Sequence, residues 1–141
     1  MKFKKNFRKR HIHKCRLNYS SVCFGSYGLR ALDDFNLTTK QLSSVVRVVK
    51  RIVRKKHFLI IRTTPYLELT RKPRDVRMGR GKGNPSLKIF PVRRGDILFE
   101  VRSGFAMNKI LYAFKQASLK LPVNSIVLKK NGSYTEYISS S

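Results

Sequence analysis

The chain has 141 residues, 32 of them Lys or Arg against 7 Asp or Glu, for a formal net charge of +25, with 41% hydrophobic and 11% aromatic residues. A domain this basic repels itself and calls for a polyanion: nucleic acid, an anionic membrane surface or an acidic protein. The apolar content excludes a wholly disordered tail, the length argues for one domain, and the longest purely apolar run (without Tyr), Phe58-Leu59-Ile60-Ile61, is far short of the ~20 residues that span a bilayer.

Residues 1–16 carry Lys2, Lys4, Lys5, Arg8, Lys9, Arg10, Lys14 and Arg16, and no acid precedes Asp33. A solvated tail, a mitochondrial presequence and an arm lying on phosphate all fit such a stretch. The unbalanced charge density favours the arm. There is no apolar segment of the kind a secretory signal needs, and Cys15 and Cys23 do not suggest a disulfide framework.

Val22 to Ala31 reads as a short extended segment interrupted by Gly25 and Gly28, which suggests a bulge or a close backbone approach. The next stretch predicts a helix from about Thr39 to Lys56. Thr38 and Gln41 have capping-box spacing, and Leu42, Val45, Val46, Val49, Ile52 and Val53 recur at helical intervals. Its opposite face holds Lys40, Arg47, Lys50, Arg51 and Arg54, and no acid lies between Asp34 and Glu68. A solvated helix face of this kind usually carries compensating acids; their absence makes Lys50, Arg51 and Arg54 candidates for phosphate contact.

His57–Thr63 and Tyr66–Leu69 read as strands. Leu87–Val92 and Ile97–Val101 predict two more, joined as a hairpin through Arg93-Arg94-Gly95-Asp96. A second helix is expected from about Asn108 to Lys120, with Ile110, Leu111, Phe114, Ala117 and Leu121 on one face and Pro122 as its stop. Ser125–Leu128 is a final apolar strand, followed by an Asn131-Gly132 turn and a short strand to Ile138. The order of elements predicts an α+β fold: a mostly antiparallel sheet with two amphipathic helices packed on one face, a basic N-terminal arm and a glycine-rich loop. The expected organisation is an arm over 1–21, one RNA-binding domain over 22–128 and a C-terminal extension over 129–141.

That loop is the most informative segment. It runs Arg71-Lys72-Pro73-Arg74-Asp75-Val76-Arg77-Met78-Gly79-Arg80-Gly81-Lys82-Gly83-Asn84-Pro85. Alternating glycines let a backbone approach a ligand closely, and backbone N–H groups interleaved with cations suit phosphate. The candidate binding residues here are Arg74, Arg77, Met78, Gly79, Arg80, Gly81, Lys82 and Gly83. A solvated loop between strands is the plain alternative. The segment is neither a P-loop, since Gly83 stands where Ser or Thr would hold magnesium, nor a dinucleotide fingerprint, since no βαβ unit surrounds it.

Other chemistries fare poorly. His11, His13, Cys15 and Cys23 lack the paired spacing of structural zinc ligands and sit in a cationic stretch. The seven acids are scattered, and Gly25-Ser26-Tyr27-Gly28 has the wrong spacing for a nucleophile elbow. Neither catalysis nor a metal or other cofactor is expected. A membrane-surface or acidic-protein adaptor would need basic helices with large exposed apolar residues, whereas the apolar stripes here look consumed by a core.

Val76-Arg77-Met78-Gly79-Arg80-Gly81-Lys82-Gly83 closely resembles the signature loop of the bacterial-type large-subunit ribosomal protein numbered sixteen in the L series. Phe7-Arg8-Lys9, Phe24-Gly25-Ser26-Tyr27-Gly28-Leu29-Arg30-Ala31, Ile61-Arg62, Leu98-Phe99-Glu100, Ala113-Phe114-Lys115 and Lys120-Leu121-Pro122 match in order, so the resemblance covers about residues 3–128. It implies an α+β fold bound to large-subunit rRNA near the central protuberance and the aminoacyl-tRNA site. The implied partners are that rRNA, aminoacyl-site tRNA and neighbouring large-subunit proteins, without membrane insertion. It further implies a loop directed toward the peptidyl-transferase region, an arm threaded between rRNA helices, and roles in subunit assembly and tRNA positioning. Arg77 matches the arginine that is hydroxylated in some bacterial members. Departures from the pattern are the lack of tryptophan, with Ile60 where the family usually has one, the Pro65-Tyr66-Leu67 stretch, and residues 131–141 beyond the usual bacterial end. They predict a drifted, mitochondrial member, with a bacterial or plastid ribosome as the alternative.

Overall fold

The computed structural model describes residues 21–53, 58–79, 81–102, 106–131 and 134–138. The arm residues Lys4, Lys5, Arg8, Lys9, Arg10, Lys14 and Arg16, together with Arg54 and Arg80, lie outside the described residues.

The elements in chain order are β1 (Tyr27–Ala31), β2 (Phe35–Thr38), α1 (Thr39–Val53), β3 (Phe58–Ile61), β4 (Leu67–Arg71), β5 (Asn84–Val92), β6 (Ile97–Arg102), α2 (Met107–Ser118), β7 (Ser125–Asn131) and β8 (Tyr134–Ile138). Every strand pairing is antiparallel. The architecture is the α+β arrangement expected, but the strands divide between two sheets, β3-β6-β1-β7-β8 and β2-β5-β4.

One expectation is corrected by that division. Residues 93–96 do form a tight turn: Asp96 N–H donates to the Arg93 carbonyl at 3.0 Å, Arg93 N–H donates to Asp96 Oδ2 at 3.0 Å, and Gly95 has φ of 93°. The flanking strands do not pair as a hairpin. β5 lies between β2 and β4, while β6 lies between β3 and β1. The turn is therefore a corner between sheets, anchored by Gly95 N–H donating to the Ala31 carbonyl and by Arg30 Nε donating to the Gly95 carbonyl. Local turn chemistry sets the reversal, whereas partner choice follows burial: Ile97 to Val101 are all buried, which requires neighbours on both edges and cover on both faces.

The strand at 22–31 is likewise shorter than expected, beginning only at Tyr27, because Phe24 and Gly25 give their N–H groups to a side chain instead of a ladder. A Cβ on Gly25 would fall 2.9 Å from the Val101 carbonyl oxygen, so the close backbone approach is real.

α1 begins where the capping box predicts. Gln41 N–H donates to Thr38 Oγ1 at 3.3 Å, and Thr38 N–H donates back to Gln41 Oε1 at 3.0 Å. Its Val45, Val49 and Val53 are buried, as are Ile110, Ala113, Phe114 and Ala117 of α2. The two helices pack against each other, and their apolar faces share one core with Leu29, Phe90, Phe99 and Val101 from both sheets. A smaller cluster joins Val22, Ile97 and Leu128. Residues 129–131 and 134–138 continue the larger sheet, because β7 extends through Asn131 and its residues 127–131 pair with β8.

β4 and β5 form a ribbon that runs past the core. Leu69 and Leu87 are opposite each other in the ladder, and both are exposed. At the end of this ribbon stands the glycine-rich loop.

Candidate nucleic-acid interface

The loop occupies residues 72–83, between Arg71 of β4 and Asn84 of β5, which are register partners. Its base is pinched. A Cβ on Gly83 would lie 2.6 Å from both the carbonyl carbon and oxygen of Arg71, so only glycine lets the two backbones meet there. Across the loop, Lys72 Nζ donates to the Gly79 carbonyl at 2.5 Å, and Val76 N–H donates to the Pro73 carbonyl at 3.4 Å. These bonds close the segment upon itself rather than upon the body of the protein.

The tip is open. Gly79 and Gly81 have φ of 102° and 77°, in the left-handed region that other residues enter only at a cost. Beyond the adjacent residues, nothing among the described residues lies within 4 Å of where a Cβ would stand at either position. These two glycines therefore serve backbone conformation, not internal packing, and the exposed peptide groups stay accessible to a ligand. Arg74, Arg77, Gly79, Gly81 and Lys82 are exposed, Gly83 is half-buried, and Met78 is 97% exposed. Residues 71–83 contain Arg71, Lys72, Arg74, Arg77, Arg80 and Lys82 against one acid, Asp75.

Cations elsewhere reinforce the surface because the acids are engaged within the fold. Glu100 is buried and held by Arg62 and three backbone N–H groups. Asp96 caps the corner turn, Asp34 Oδ1 accepts the Arg94 N–H, and Glu68 sits 3.7 Å from Lys88 Nζ. With four of the seven acids so used, little negative charge is left to offset the lysines and arginines facing outward.

Lys50 and Arg51 are exposed in the last turn of α1, where the helix dipole also favours cations. They stand on α1 and not on the β4–β5 ribbon that carries the loop. α1 meets β5 at its start, where Thr39 Oγ1 donates to the Lys88 carbonyl. Lys50 is eleven residues farther on, or about 16 Å along the helix axis. Among the described residues, the expected binding residues thus lie on two elements, the loop and the end of α1.

The residues around Glu100 were not singled out as a unit by sequence. Arg62 Nη1 donates to Glu100 Oε1 at 2.5 Å and to the Ser21 carbonyl at 2.8 Å, and its guanidinium carbon is 5.5 Å from the Phe24 ring centroid. Phe24 and Gly25 N–H groups both donate to Glu100 Oε2 at 2.7 Å. Lys130 Nζ donates to the Cys23 carbonyl. This clamp fixes residues 21–26, the stretch that joins the basic N-terminal residues to the domain. The available signal was a lone acid in the otherwise apolar run Ile97-Leu98-Phe99-Glu100-Val101.

No helix among the described residues is long and apolar enough to cross a membrane.

The comparisons with known proteins agree in one direction. The family model for ribosomal protein L16p/L10e matches residues 1–128. Large ribosomal subunit protein uL16m of Acanthamoeba castellanii is 43% identical over 143 aligned positions, covering 100% of this chain and 99% of that protein. Large ribosomal subunit protein uL16 of Neorickettsia sennetsu is 41% identical over 121 positions, covering 86% of each chain. Its namesake from Buchnera aphidicola is 37% identical over 130 positions, covering 89% of this chain and 95% of that one. With 128 of 141 residues inside the family model and a full-length relative beside it, the chain belongs to the ribosomal protein L16p/L10e family.

Proposed function

We propose that this chain, a structural protein of the large ribosomal subunit and of the mitochondrial type rather than an enzyme, binds large-subunit rRNA through its glycine-rich loop, its basic N-terminal arm and the basic end of α1. The observation that carries the reading is the loop: left-handed Gly79 and Gly81 above a pinched base, flanked by Arg74, Arg77 and Lys82. Backbone N–H groups and cations arranged this way suit the phosphate backbone, which dominates RNA affinity. The full-length match to uL16m supports a mitochondrial ribosome, while bacterial relatives leave a bacterial or plastid one as the alternative.

The resemblance carries the finer placement. The protein stands near the central protuberance and the aminoacyl-tRNA site, where its loop approaches bound tRNA, and it assists subunit assembly alongside neighbouring large-subunit proteins. Within this reading the arm residues Lys4, Lys5, Arg8, Lys9, Arg10, Lys14 and Arg16 neutralise phosphates, as do Arg54 and Arg80.

The test has two parts. Tagged protein should co-sediment with large subunits and crosslink to their rRNA through residues 77–82. Arg77→Ala and Lys82→Ala should each reduce the slope of log affinity against log salt by about one. Unchanged slopes with unchanged subunit occupancy would refute the loop assignment, and sedimentation at the top of the gradient in low salt would refute the ribosomal role.

A further inference from the structure

The helical layer has an outward face that none of the foregoing uses. In α2, Ile110, Ala113, Phe114 and Ala117 are buried against the core. On the opposite side of the helix, Lys109, Tyr112, Lys115 and Leu119 follow one another at three- and four-residue intervals, and all four are exposed. Tyr112 is 55% exposed and Leu119, just past the helix end, is 71% exposed. Single exposed apolar residues are ordinary on a protein surface. Here they come as an aromatic ring set between lysines, with Lys109 and Lys115 about 9 Å apart along the axis and Tyr112 midway.

The charge around this stripe is one-sided. Neither α1 nor α2 contains an acid, and none occurs anywhere between Glu100 and Glu136. The same interval holds Arg102, Lys109, Lys115, Lys120, Lys129 and Lys130. Because α1 and α2 pack together, the cations of both helices belong to one acid-free layer.

We infer that the Lys109–Tyr112–Lys115 stripe of α2 is a second RNA contact, in which an unpaired base stacks on the Tyr112 ring while the two lysines engage the phosphates on either side. A flat aromatic ring accepts any base, and bracketing cations supply the backbone attraction; together they favour a looped-out or single-stranded nucleotide over a continuous duplex, whose bases are already stacked. Leu119 extends the apolar surface one turn farther, where it can cover the neighbouring ribose. Charge complementarity selects RNA over an apolar protein segment as the occupant, since the stripe lies in a basic stretch with no acid between Glu100 and Glu136, which suits a polyanion. The inference rests on RNA being the chain's ligand, as proposed above.

The test uses intact large subunits carrying the full chain. Ultraviolet crosslinking and mass spectrometry should find a nucleotide adduct on the tryptic peptide Ile110–Lys115, which contains Tyr112. In parallel, the full-length variants are titrated against a transcript of the large-subunit rRNA. Tyr112→Ala should weaken binding roughly tenfold, by the usual loss of one base-stacking platform, while Tyr112→Phe retains the ring and binds as the native chain does. Lys109→Ala and Lys115→Ala should each lower the salt slope by about one. All three positions are exposed, so unchanged thermal melting confirms that the four variants fold.

A crosslink from Tyr112 to a protein, or native-like binding by Tyr112→Ala while Lys82→Ala is impaired, overturns the α2 contact and leaves the loop reading standing. No nucleotide adduct on either the α2 peptide or the loop, with all slopes unchanged, overturns the RNA reading itself.

Discussion

Glu100 is fully buried in β6, an interior strand of the five-stranded sheet, and Arg62 reaches its carboxylate from the segment that follows β3. The pair is more than an ion pair, because the same carboxylate also accepts N–H bonds from Cys23, Phe24 and Gly25. One side chain thereby ties the root of the basic N-terminal arm to an interior strand of the sheet.

Removing one partner from a buried pair strands the other charge, which typically costs about 3–5 kcal/mol. Glu100→Ala is expected to destabilise the domain by roughly that amount in urea denaturation. Many buried pairs can be replaced by apolar residues with little penalty. Here the double variant Arg62→Leu with Glu100→Leu should remain unstable, since three backbone donors would lose their acceptor. Recovery of native stability in the double variant would show that the N–H bonds contribute little.

The loop glycines should separate by role. Gly83→Ala forces a methyl group against the Arg71 carbonyl and is expected to cost roughly 1–3 kcal/mol of stability. Gly79→Ala meets nothing among the described residues beyond its chain neighbours, but it places a side chain at φ of 102°. The loop should then shift conformation, with melting temperature nearly unchanged and rRNA affinity reduced. Equal melting temperatures for the two variants would contradict the pinched base.

Lys72 acts inside the loop, through its bond to the Gly79 carbonyl. Lys72→Met keeps the aliphatic stem and removes that bond. Hydrogen exchange should quicken at residues 74–79 while the core amides stay protected. If Lys72 were simply one more phosphate contact, the variant would change the salt slope and leave loop exchange alone.

Val49 is fully buried between the helices and the sheets. Val49→Asp places an unpaired charge in that core and should prevent folding, whereas Val49→Ala should cost only a few kcal/mol at most. Circular dichroism of the two purified variants makes the comparison. A folded Val49→Asp protein would mean that the α1 face has been misassigned.

Much of this architecture was legible in the chain. The capping box at Thr38 and Gln41, the valine spacing of α1 and the apolar face of α2 are local patterns, and local hydrogen bonding and helical periodicity are sufficient to set them. The loop stood out for a related reason: alternating glycines among cations permit a close backbone approach to a ligand, and Gly79 and Gly81 use that freedom to enter the left-handed region. The arm, Arg54 and Arg80 fall outside the described residues, so their place in the site stays with the proposal.

What the sequence did not contain was the choice of partners. Asp96 and Gly95 announce a turn, yet β5 and β6 leave it for different sheets, because burial of every residue from Ile97 to Val101 demands strands on both sides of β6. The pairing of Glu100 with Arg62 and with residues 23–25 bridges 38 and as many as 77 positions along the chain, and the exposure of Tyr112 depends on where α1 and α2 meet. Short-range patterns fix the kind of each element, since their bonds lie within a few residues. Long-range contacts form only where chain closure brings distant faces together, and that the tertiary structure alone decides.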